Sequence, residues 1–343
     1  MDQVVVIGAG MAGVSCARVL RAAGLPVRLL DRAGRPGGRM ASAEHAGRMV
    51  DIGASYFTVS DDRFAEVVGD WRRRGLARPW TDTFDVFSDG ALSRHSTGPL
   101  RWAAGTGLRT LVQDLADTAG LSVERLAVQA VDSVPGTGLM VAGEPAAAVV
   151  LAMPDAQARA VLSPALARER AGLYARFEPV LALSAGWPER AWQPLDGMFV
   201  HGDQRLSWIA DDGSRRGDGA PVLVAHSTPS WAAEQLDRPD AAGPDTADRL
   251  GAADRLGAAD RLDAAAGELL RALRQVLRID SEPSWTSLHR WSYAKPAAGR
   301  PVGFQLWPSM VAACGDGWAQ RPRVEAAFLS GLSLGTALAA RLR

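Results

Sequence analysis

The sequence is poor in lysine and cysteine, and it carries no excess of charge. Lys295 is the one lysine among 38 basic residues, and the formal net charge is zero. Neither nucleic acid nor an anionic membrane is therefore an expected partner. Cys16 and Cys314 are too few and too far apart for a disulfide framework or a zinc site, so we expect no metal.

Long apolar segments are also missing. The chain has no run of roughly 18 apolar residues, the length that a membrane-spanning helix needs. Met1-Asp2-Gln3 lacks the basic flank of a signal peptide, which favours a cytoplasmic protein. A length of 343 residues with 47% hydrophobic content is sufficient for two domains with separate cores.

The sequence does contain a dinucleotide-binding pattern at its start. An apolar run over residues 4–7 is followed by Gly8, Gly10 and Gly13, then by a helical pattern and a second apolar run that ends on Asp31. The acid follows Gly13 by 18 residues, as in a strand-turn-helix-strand unit that binds nucleotides. Gly8 permits the turn, Gly10 admits a pyrophosphate, and Gly13 allows close packing. Asp31 is expected to accept hydrogen bonds from ribose hydroxyls.

A second glycine loop narrows the choice of nucleotide cofactor. Gly37-Gly38-Arg39-Met40 follows soon after Asp31 and is succeeded by the segment 50–54. Its backbone N–H groups and a bidentate guanidinium would reach the same pyrophosphate. Domains that bind NAD alone usually lack this loop, whereas flavoproteins of the glutathione-reductase and amine-oxidase type have it. An ordinary surface turn is the alternative.

The end of the chain carries a matching pattern. Residues 311–318 read as a buried strand that ends in Gly315-Asp316-Gly317, and a final helix starts near Val324. Asp316 would bond the ribityl chain, and the helix N-terminus would face the flavin N1–C2 edge. The two patterns together predict FAD. The bond to FAD should be non-covalent, because neither cysteine lies in an attachment motif.

The middle of the chain changes character near residue 159. Before it we expect a hairpin over 80–92 with Asp89-Gly90 as its turn, a helix over 108–119, a strand over 123–134, and a strand over 148–154. After it, mixed strands over 178–187, 198–201, 206–209 and 222–227 predict an antiparallel sheet with helices.

Two later stretches stand out. A six-residue repeat over 248–265 does not keep its leucines on one helical face, so we interpret it as a solvated insertion without function, with a regular helix resuming at Leu262. Residues 284–294 alternate with period two, which places Trp285, His289, Trp291 and Tyr293 on one side of a strand.

These motifs resemble those of renalase and its bacterial relatives in the flavin amine oxidase superfamily. The resemblance covers Met1 to about Leu342 and is most specific at 51–58, 150–154 and 225–228. It implies an α/β fold in which a two-dinucleotide-binding (Rossmann-like) FAD domain, with the topology of p-hydroxybenzoate hydroxylase and amine oxidases, holds an inserted antiparallel-sheet substrate domain. The expected boundaries are 1–70, 100–158 and 286–343 for the FAD domain, and 71–99 and 159–285 for the substrate domain.

The resemblance also implies an activity. Renalase-like enzymes oxidise the 2- or 6-dihydro isomers of β-NAD(P): hydride passes to flavin N5, and O2 then becomes H2O2. We predict Tyr56, His226, Trp291 and Tyr293 as the pocket wall and candidate catalytic residues; the alternatives are core packing for the aromatics and a satisfied strand histidine. The predicted FAD contacts are Gly8, Gly10, Met11, Ala12, Gly13, Asp31, Arg32, Gly38, Arg39, Met40, Gly53, Ala54, Tyr56, Phe57, Thr58, Val128 (to adenine, through its backbone), Met153, Asp316 and Val324.

Three rival functions stay open at this point. A flavin amine oxidase would share fold and cofactor, but that family commonly places a lysine beside flavin N5, and Lys295 precedes Pro296 near the re-entry to the FAD domain. A desaturase or another carbon–carbon oxidase would need a long apolar tunnel. A non-catalytic flavin- or nucleotide-binding protein would be favoured by a missing flavin-side motif.

Overall fold

The chain builds two eight-stranded sheets and a separate hairpin, in a computed structural model that describes residues 3–88, 90–236 and 252–343. Its strands are β1 (Gln3–Ile7), β2 (Val27–Asp31), β3 (Ser42–His45), β4 (Arg48–Asp51), β5 (Phe57–Thr58), β6 (Arg78–Ser88), β7 (Ala91–Ala103), β8 (Val123–Arg125), β9 (Val131–Val134), β10 (Gly138–Val141), β11 (Glu144–Leu151), β12 (Phe177–Gly186), β13 (Gly197–Val200), β14 (Leu206–Asp211), β15 (Val222–Ser227), β16 (Trp285–Pro296), β17 (Gln305–Leu306) and β18 (Val311–Ala313). Its helices are α1 (Met11–Ala22), α2 (Asp62–Arg73), α3 (Arg109–Thr118), α4 (Asp155–Val161), α5 (Ala167–Gly172), α6 (Asp212–Arg216), α7 (Pro229–Gln235), α8 (Ala252–Leu277) and α9 (Val324–Leu342).

The first sheet has the strand order β17-β18-β11-β1-β2-β8, with β9 and β10 attached beside β11. β1 is parallel to β2 and β11, β11 is parallel to β18, and β2 is parallel to β8. The carboxyl ends of these five strands therefore meet at one edge, which we call the cofactor edge. This is where open parallel sheets bind nucleotides, and the predicted α/β class is confirmed.

Two helices cover one face of this sheet and bring the chain ends together. α1 and α9 pack so closely that a Cβ on Gly331 would lie 2.0 Å from the Ala12 carbonyl oxygen. Their apolar faces share a core that includes Val14, Leu20 and Leu334. The contact sets the middle of α9 against the first turn of α1, which follows the loop after β1.

The second sheet has the order β16-β12-β15-β14-β13-β6-β7-β5. One of its faces packs on α7 and α8 through residues such as Leu183, Leu223 and Leu269. The opposite face holds Val222 and Val224, which pack against Val50 of β4. This inner face therefore looks toward the first sheet and its hairpin β3–β4.

Two predictions about secondary structure are wrong. The strand predicted over 123–134 is broken, because the Leu126 N–H bonds the Asp31 carbonyl at 3.1 Å and the chain then leaves the sheet until β9 begins. Helix α8 begins at Ala252, so a regular helix starts ten residues before Leu262 and includes the repeat from 252 onward. The first repeat residues, 248–251, and Asp89 of the predicted turn lie outside the described residues.

Sheet membership also departs from the predicted domain limits. β16 belongs to the second sheet although residues from 286 were assigned to the FAD domain, and β7 continues that sheet to Ala103, past the limit at 100. The domain boundaries themselves stay a prediction. Across the described parts of the chain, none of the helices combines the length and apolar character required to cross a membrane.

Candidate functional site

The loop after β1 has a shape that only glycine fits. Gly8 has φ +106°, and a Cβ there would lie 2.5 Å from the Ala152 carbonyl oxygen. A Cβ on Gly13 would lie 1.9 Å from the Gly8 carbonyl oxygen. The first turn of α1, with Met11 and Ala12, therefore packs directly on the loop. Among the described residues no side chain caps this helix end, which leaves its first N–H groups available to an anion.

The second glycine loop lies against the first, as predicted. The Gly37 N–H bonds the Ala9 carbonyl at 2.9 Å, and a Cβ on Gly38 would lie 3.0 Å from the Gly10 Cα. Two stretches of bare backbone thus border the same end of α1. Met40, at the end of this loop, is buried in the core rather than turned to the surface.

Asp31 is the last residue of β2, and its carboxylate bonds both the loop after β1 and the turn that follows β2. Its Oδ2 accepts a hydrogen bond from the Ala9 N–H at 3.0 Å, and Oδ1 accepts one from the Ala33 N–H at 2.8 Å. Each oxygen keeps a lone pair that a ribose hydroxyl can use. The neighbouring Arg32 is exposed. Burial, and then the charges of Arg32 and His45, lower the pKa of His289.

Arg39 and Asp316 bind each other, although we predicted that each binds FAD. Two parallel bonds of 3.0 and 2.6 Å join the guanidinium to the carboxylate, and Arg39 also donates to the Ala294 carbonyl at 3.2 Å. The pair joins the second glycine loop to the strand end of β18. Val324 begins α9 nearby, with no side-chain cap among the described residues at that helix end.

The segment 52–58 is held between the two sheets. The Ala54 N–H bonds the Arg39 carbonyl at 2.9 Å, and a Cβ on Gly53 would lie 2.1 Å from that oxygen. Three long side chains from second-sheet elements bond this segment: Trp291 Nε1 to the Ile52 carbonyl at 2.7 Å, Trp208 Nε1 to Ser55 Oγ at 3.0 Å, and Arg215 Nη1 to the Ser55 carbonyl at 3.1 Å.

Tyr56 and Phe57 leave this segment in different directions. Tyr56 lies within 6.3 Å, between ring centroids, of Trp80, Phe84 and Trp208, and its burial raises the pKa of its hydroxyl. Phe57 is 2% exposed and packs in the core of the first sheet beside Trp71. Phe57 and Thr58 form β5, the last strand of the second sheet. Tyr56 therefore belongs to the inner face of the second sheet, and Phe57 to the core.

Strand register forms a row of rings across that inner face. His289 of β16 lies opposite Ala182 of β12, Ala182 lies opposite His226 of β15, and His226 lies opposite Trp208 of β14. Residues directly opposite each other share a face of the sheet. Trp291, two residues after His289, contacts its ring at 4.4 Å between centroids. The predicted pocket residues His226 and Trp291 are thus brought to one surface.

The imidazole of His226 has a ring nitrogen that can still form a hydrogen bond. Within the part of the chain that the structure describes, its buried Nε2 has no hydrogen-bond partner. Burial, with a smaller contribution from the charge of Arg215, lowers the pKa of His226 to about 4. The ring is therefore neutral at physiological pH and can accept or donate one further hydrogen bond.

Three further predicted residues are not part of this row of opposite residues. Tyr293 lies on β16 between Trp291, which is opposite Val180, and Lys295, which is opposite Glu178, where the register with β12 shifts. Val128 lies in the irregular stretch after β8, buried among apolar residues. Met153 follows β11 at the cofactor edge and packs on the same apolar cluster.

Several residues at this site had not been predicted. Asp51 accepts hydrogen bonds from Ser42 Oγ at 2.5 Å and the Leu108 N–H at 2.9 Å, and it lies 3.4 Å from Arg216 and 3.9 Å from Arg215. Asp212 bonds both arginines and Arg48. This buried charge cluster joins hairpin β3–β4 to α6. The sequence does contain a pattern that could have predicted this cluster. The doublets Asp211-Asp212 and Arg215-Arg216 are three to four residues apart, a spacing that places opposite charges side by side on a helix.

Comparison with known proteins agrees with this architecture. A family model described as an NAD(P)-binding Rossmann-like domain matches residues 6–71. Hydroxyneurosporene desaturase of Rubrivivax gelatinosus is 47% identical over 57 residues, which are 17% of this chain and 11% of that protein. The matched segment thus spans about a ninth of that relative's length.

Solved structures extend the similarity to the whole chain. Putrescine oxidase bound to putrescine superposes with a TM-score of 0.71 at 16% identity, over 99% of both chains. Cyclohexylamine oxidase from Brevibacterium oxydans IH-35A superposes with a TM-score of 0.66 at 14% identity, also over 99% of both chains. The chain has the fold of the flavin amine oxidases. Its N-terminal segment is similar to that of hydroxyneurosporene desaturase, and the matched proteins use FAD, in agreement with the predicted cofactor.

Proposed function

We propose that the protein is an FAD-dependent oxidase of dihydronicotinamide nucleotides that carry their extra hydrogen at the 2- or 6-position. The observation that carries this proposal is the row on the inner face of the second sheet, where Trp208, His226, His289 and Trp291 offer flat rings and neutral imidazole groups. Such a surface suits a flat, uncharged heteroaromatic ring better than a flexible cation.

The residues at the cofactor edge fit FAD. Gly8 and Gly13 leave space that a Cβ would fill, and the uncapped end of α1 offers N–H groups to a pyrophosphate. Asp31 would hold a ribose, and Arg39 and Asp316 would exchange part of their mutual pairing for phosphate and ribityl groups. Cys16 and Cys314 are both buried in the core, which supports non-covalent binding.

The chain's own task in this reaction is orientation. The chemistry that bound FAD would supply is acceptance of a hydride and transfer of two electrons to O2; with one proton from solvent the oxygen would leave as H2O2, and the substrate would become aromatic NAD(P)+. The inner-face rings would hold the nicotinamide flat, and segment 52–58, held by Trp291, Trp208 and Arg215, would keep it at a fixed distance from the cofactor. This arrangement requires no strong base, because aromatisation favours loss of the hydride.

Oxidation of an amine is the second candidate, because putrescine oxidase and cyclohexylamine oxidase share the fold over 99% of the chain. The position of the lysine supports the first proposal instead. Lys295 pairs with Glu178 at 3.1 Å and its side chain is 58% exposed, so it is engaged away from the inner-face rings.

Product analysis tests the choice. The FAD-loaded protein would be given 6-dihydro-β-NAD in air, and NAD+ and H2O2 would be quantified. We expect the two products in equal amounts, with little H2O2 from ordinary 4-dihydro NADH or from putrescine. Rapid H2O2 formation with putrescine, and none with the 2- or 6-dihydro isomers, would favour the amine oxidase instead.

A further inference from the structure

Two buried polar groups with no assigned role lie side by side on the inner face. Ser184 of β12 lies opposite Val224 of β15, and His226 of β15 lies opposite Ala182 of β12. Ser184 and His226 are therefore diagonal neighbours on adjacent strands and share one face of the sheet, at a spacing of about 7–8 Å between backbones. Serine and imidazole side chains can both reach a small group between them.

Both groups lack partners although they are removed from water. In the described ranges, Ser184 Oγ and His226 Nε2 are buried and make no hydrogen bond to protein. Buried polar atoms are nearly always paired, so two adjacent exceptions indicate a ligand or a bound water. The residue that lies opposite both His289 and His226 is Ala182, whose side chain is a single methyl group.

The surrounding charge selects the kind of ligand. Burial is the main cause of the lowered pKa of His226, and the charge of Arg215 adds to it, so the surroundings favour a neutral group over a cation. The carboxylates of Asp51 and Asp212 are already engaged by Arg215 and Arg216. A neutral imidazole and a hydroxyl each donate or accept, which matches a group that has one acceptor and one N–H donor.

We propose that Ser184 and His226 form a subsite for a neutral primary carboxamide of the substrate. The inference rests on the proposed function, in which that group is the carboxamide of a dihydronicotinamide. By fixing the carboxamide, the two side chains would determine which ring carbon faces the flavin. They would thus discriminate 2- and 6-dihydro isomers from the 4-dihydro isomer, whose hydridic carbon lies elsewhere on the ring.

Fragment binding tests the subsite without turnover. Nicotinamide and 3-acetylpyridine, which keeps the carbonyl but lacks the NH2 group, would be titrated into FAD-loaded protein while the flavin absorbance is followed. We expect the wild type to prefer nicotinamide by about tenfold. Ser184→Ala and His226→Phe should lose that preference. Ser287→Ala, a half-exposed serine opposite Ser184 on β16, should keep it.

The possible outcomes separate this inference from the proposed function. Equal binding of the two fragments to wild type, or an unchanged preference in both Ser184→Ala and His226→Phe, would overturn the subsite. If one of these variants fails to hold FAD, the other decides alone, and Ser184→Thr or His226→Gln, which keep a hydrogen-bonding group, should hold FAD and retain the preference for nicotinamide. Fragment discrimination without any flavin reduction by dihydronicotinamides would reject the oxidase and leave the amide subsite standing.

Discussion

The cofactor edge of the first sheet and the inner face of the second sheet differ in whether their polar groups have hydrogen-bond partners. At the cofactor edge, Asp31 and Gly37 are both bonded to the backbone of Ala9, and Arg39 is paired with Asp316. On the inner face, Ser184 and His226 are buried without partners among the described residues. The polar groups of the cofactor edge are thus already fixed by the protein, whereas the inner face has polar atoms that can still bond a substrate.

The largest loss of stability should come from adding a side chain to the glycine loop after β1. Gly13→Ala places a Cβ 1.9 Å from the Gly8 carbonyl oxygen, which backbone cannot avoid without moving α1. We expect a loss of about 3 kcal/mol or more in unfolding free energy, together with loss of FAD. Denaturant melts and the ratio of flavin to protein absorbance measure both.

Gly69→Ala is the matched control for that change. A Cβ on Gly69 in α2 would meet the end of the Arg73 side chain at an ordinary 3.6 Å. It should be neutral or slightly stabilising, because alanine favours helix. Similar losses in the two variants would mean that the packing of the glycine loop is not special.

A smaller effect is expected from the ion pair at the same edge. Arg39→Gln leaves Asp316, whose side chain is 13% exposed, without its cation, and should weaken FAD binding by roughly 2 kcal/mol. Lys295→Gln removes the exposed Lys295–Glu178 pair and should change FAD binding by less than about 0.5 kcal/mol. Fluorescence titration of cofactor-free protein with FAD gives both affinities, and equal values would contradict the role of Arg39.

Asp31→Ala should weaken FAD binding by about 1–2 kcal/mol, because it removes the ribose acceptor and frees the Ala9 N–H. Asp31→Asn keeps one acceptor oxygen and should lose less. An unchanged FAD dissociation constant in Asp31→Ala would show that the carboxylate only caps the adjacent turns.

The pH dependence of stability probes the inner face. The pKa of His226 is lowered to about 4 in the folded protein from 6.5, so between these values the unfolded chain binds a proton that the folded chain does not. Stability should therefore fall as pH drops from about 6.5 to 4, by about 3 kcal/mol from this residue. The slope should be smaller in His226→Gln. Parallel curves in wild type and variant would show that His226 is not held in its neutral form.

The cofactor edge could be predicted from patterns of residues that are close in the sequence. The inner face could not, because it is formed by strands that are far apart in the sequence. The turn at Gly8 and the acid at Asp31 belong to one unit of consecutive residues, and their roles follow from spacing. Ser184 and His226 become neighbours only through the register of β12 with β15, which their own sequences do not define.

Two departures from the predicted strand patterns, at Tyr293 and at Val128, have the same origin. Tyr293 was placed with Trp291 by period-two alternation, but the register shift after Glu178 interrupts that alternation. Val128 was placed in a continuous strand, although the chain has no pairing partner between Arg125 and Val131. Local apolar patterns indicate a strand, but its partners decide where it ends.

The most direct test of the central proposal is the rate at which the flavin loses its colour without oxygen. FAD-loaded protein would be mixed anaerobically, in separate stopped-flow experiments, with 6-dihydro-β-NAD, 4-dihydro NADH and putrescine, and the absorbance near 450 nm would be followed. The account predicts rapid bleaching by the 6-dihydro isomer and slow or no bleaching by the other two. Bleaching within seconds by putrescine, with the flavin still yellow after the dihydronicotinamides, would contradict it.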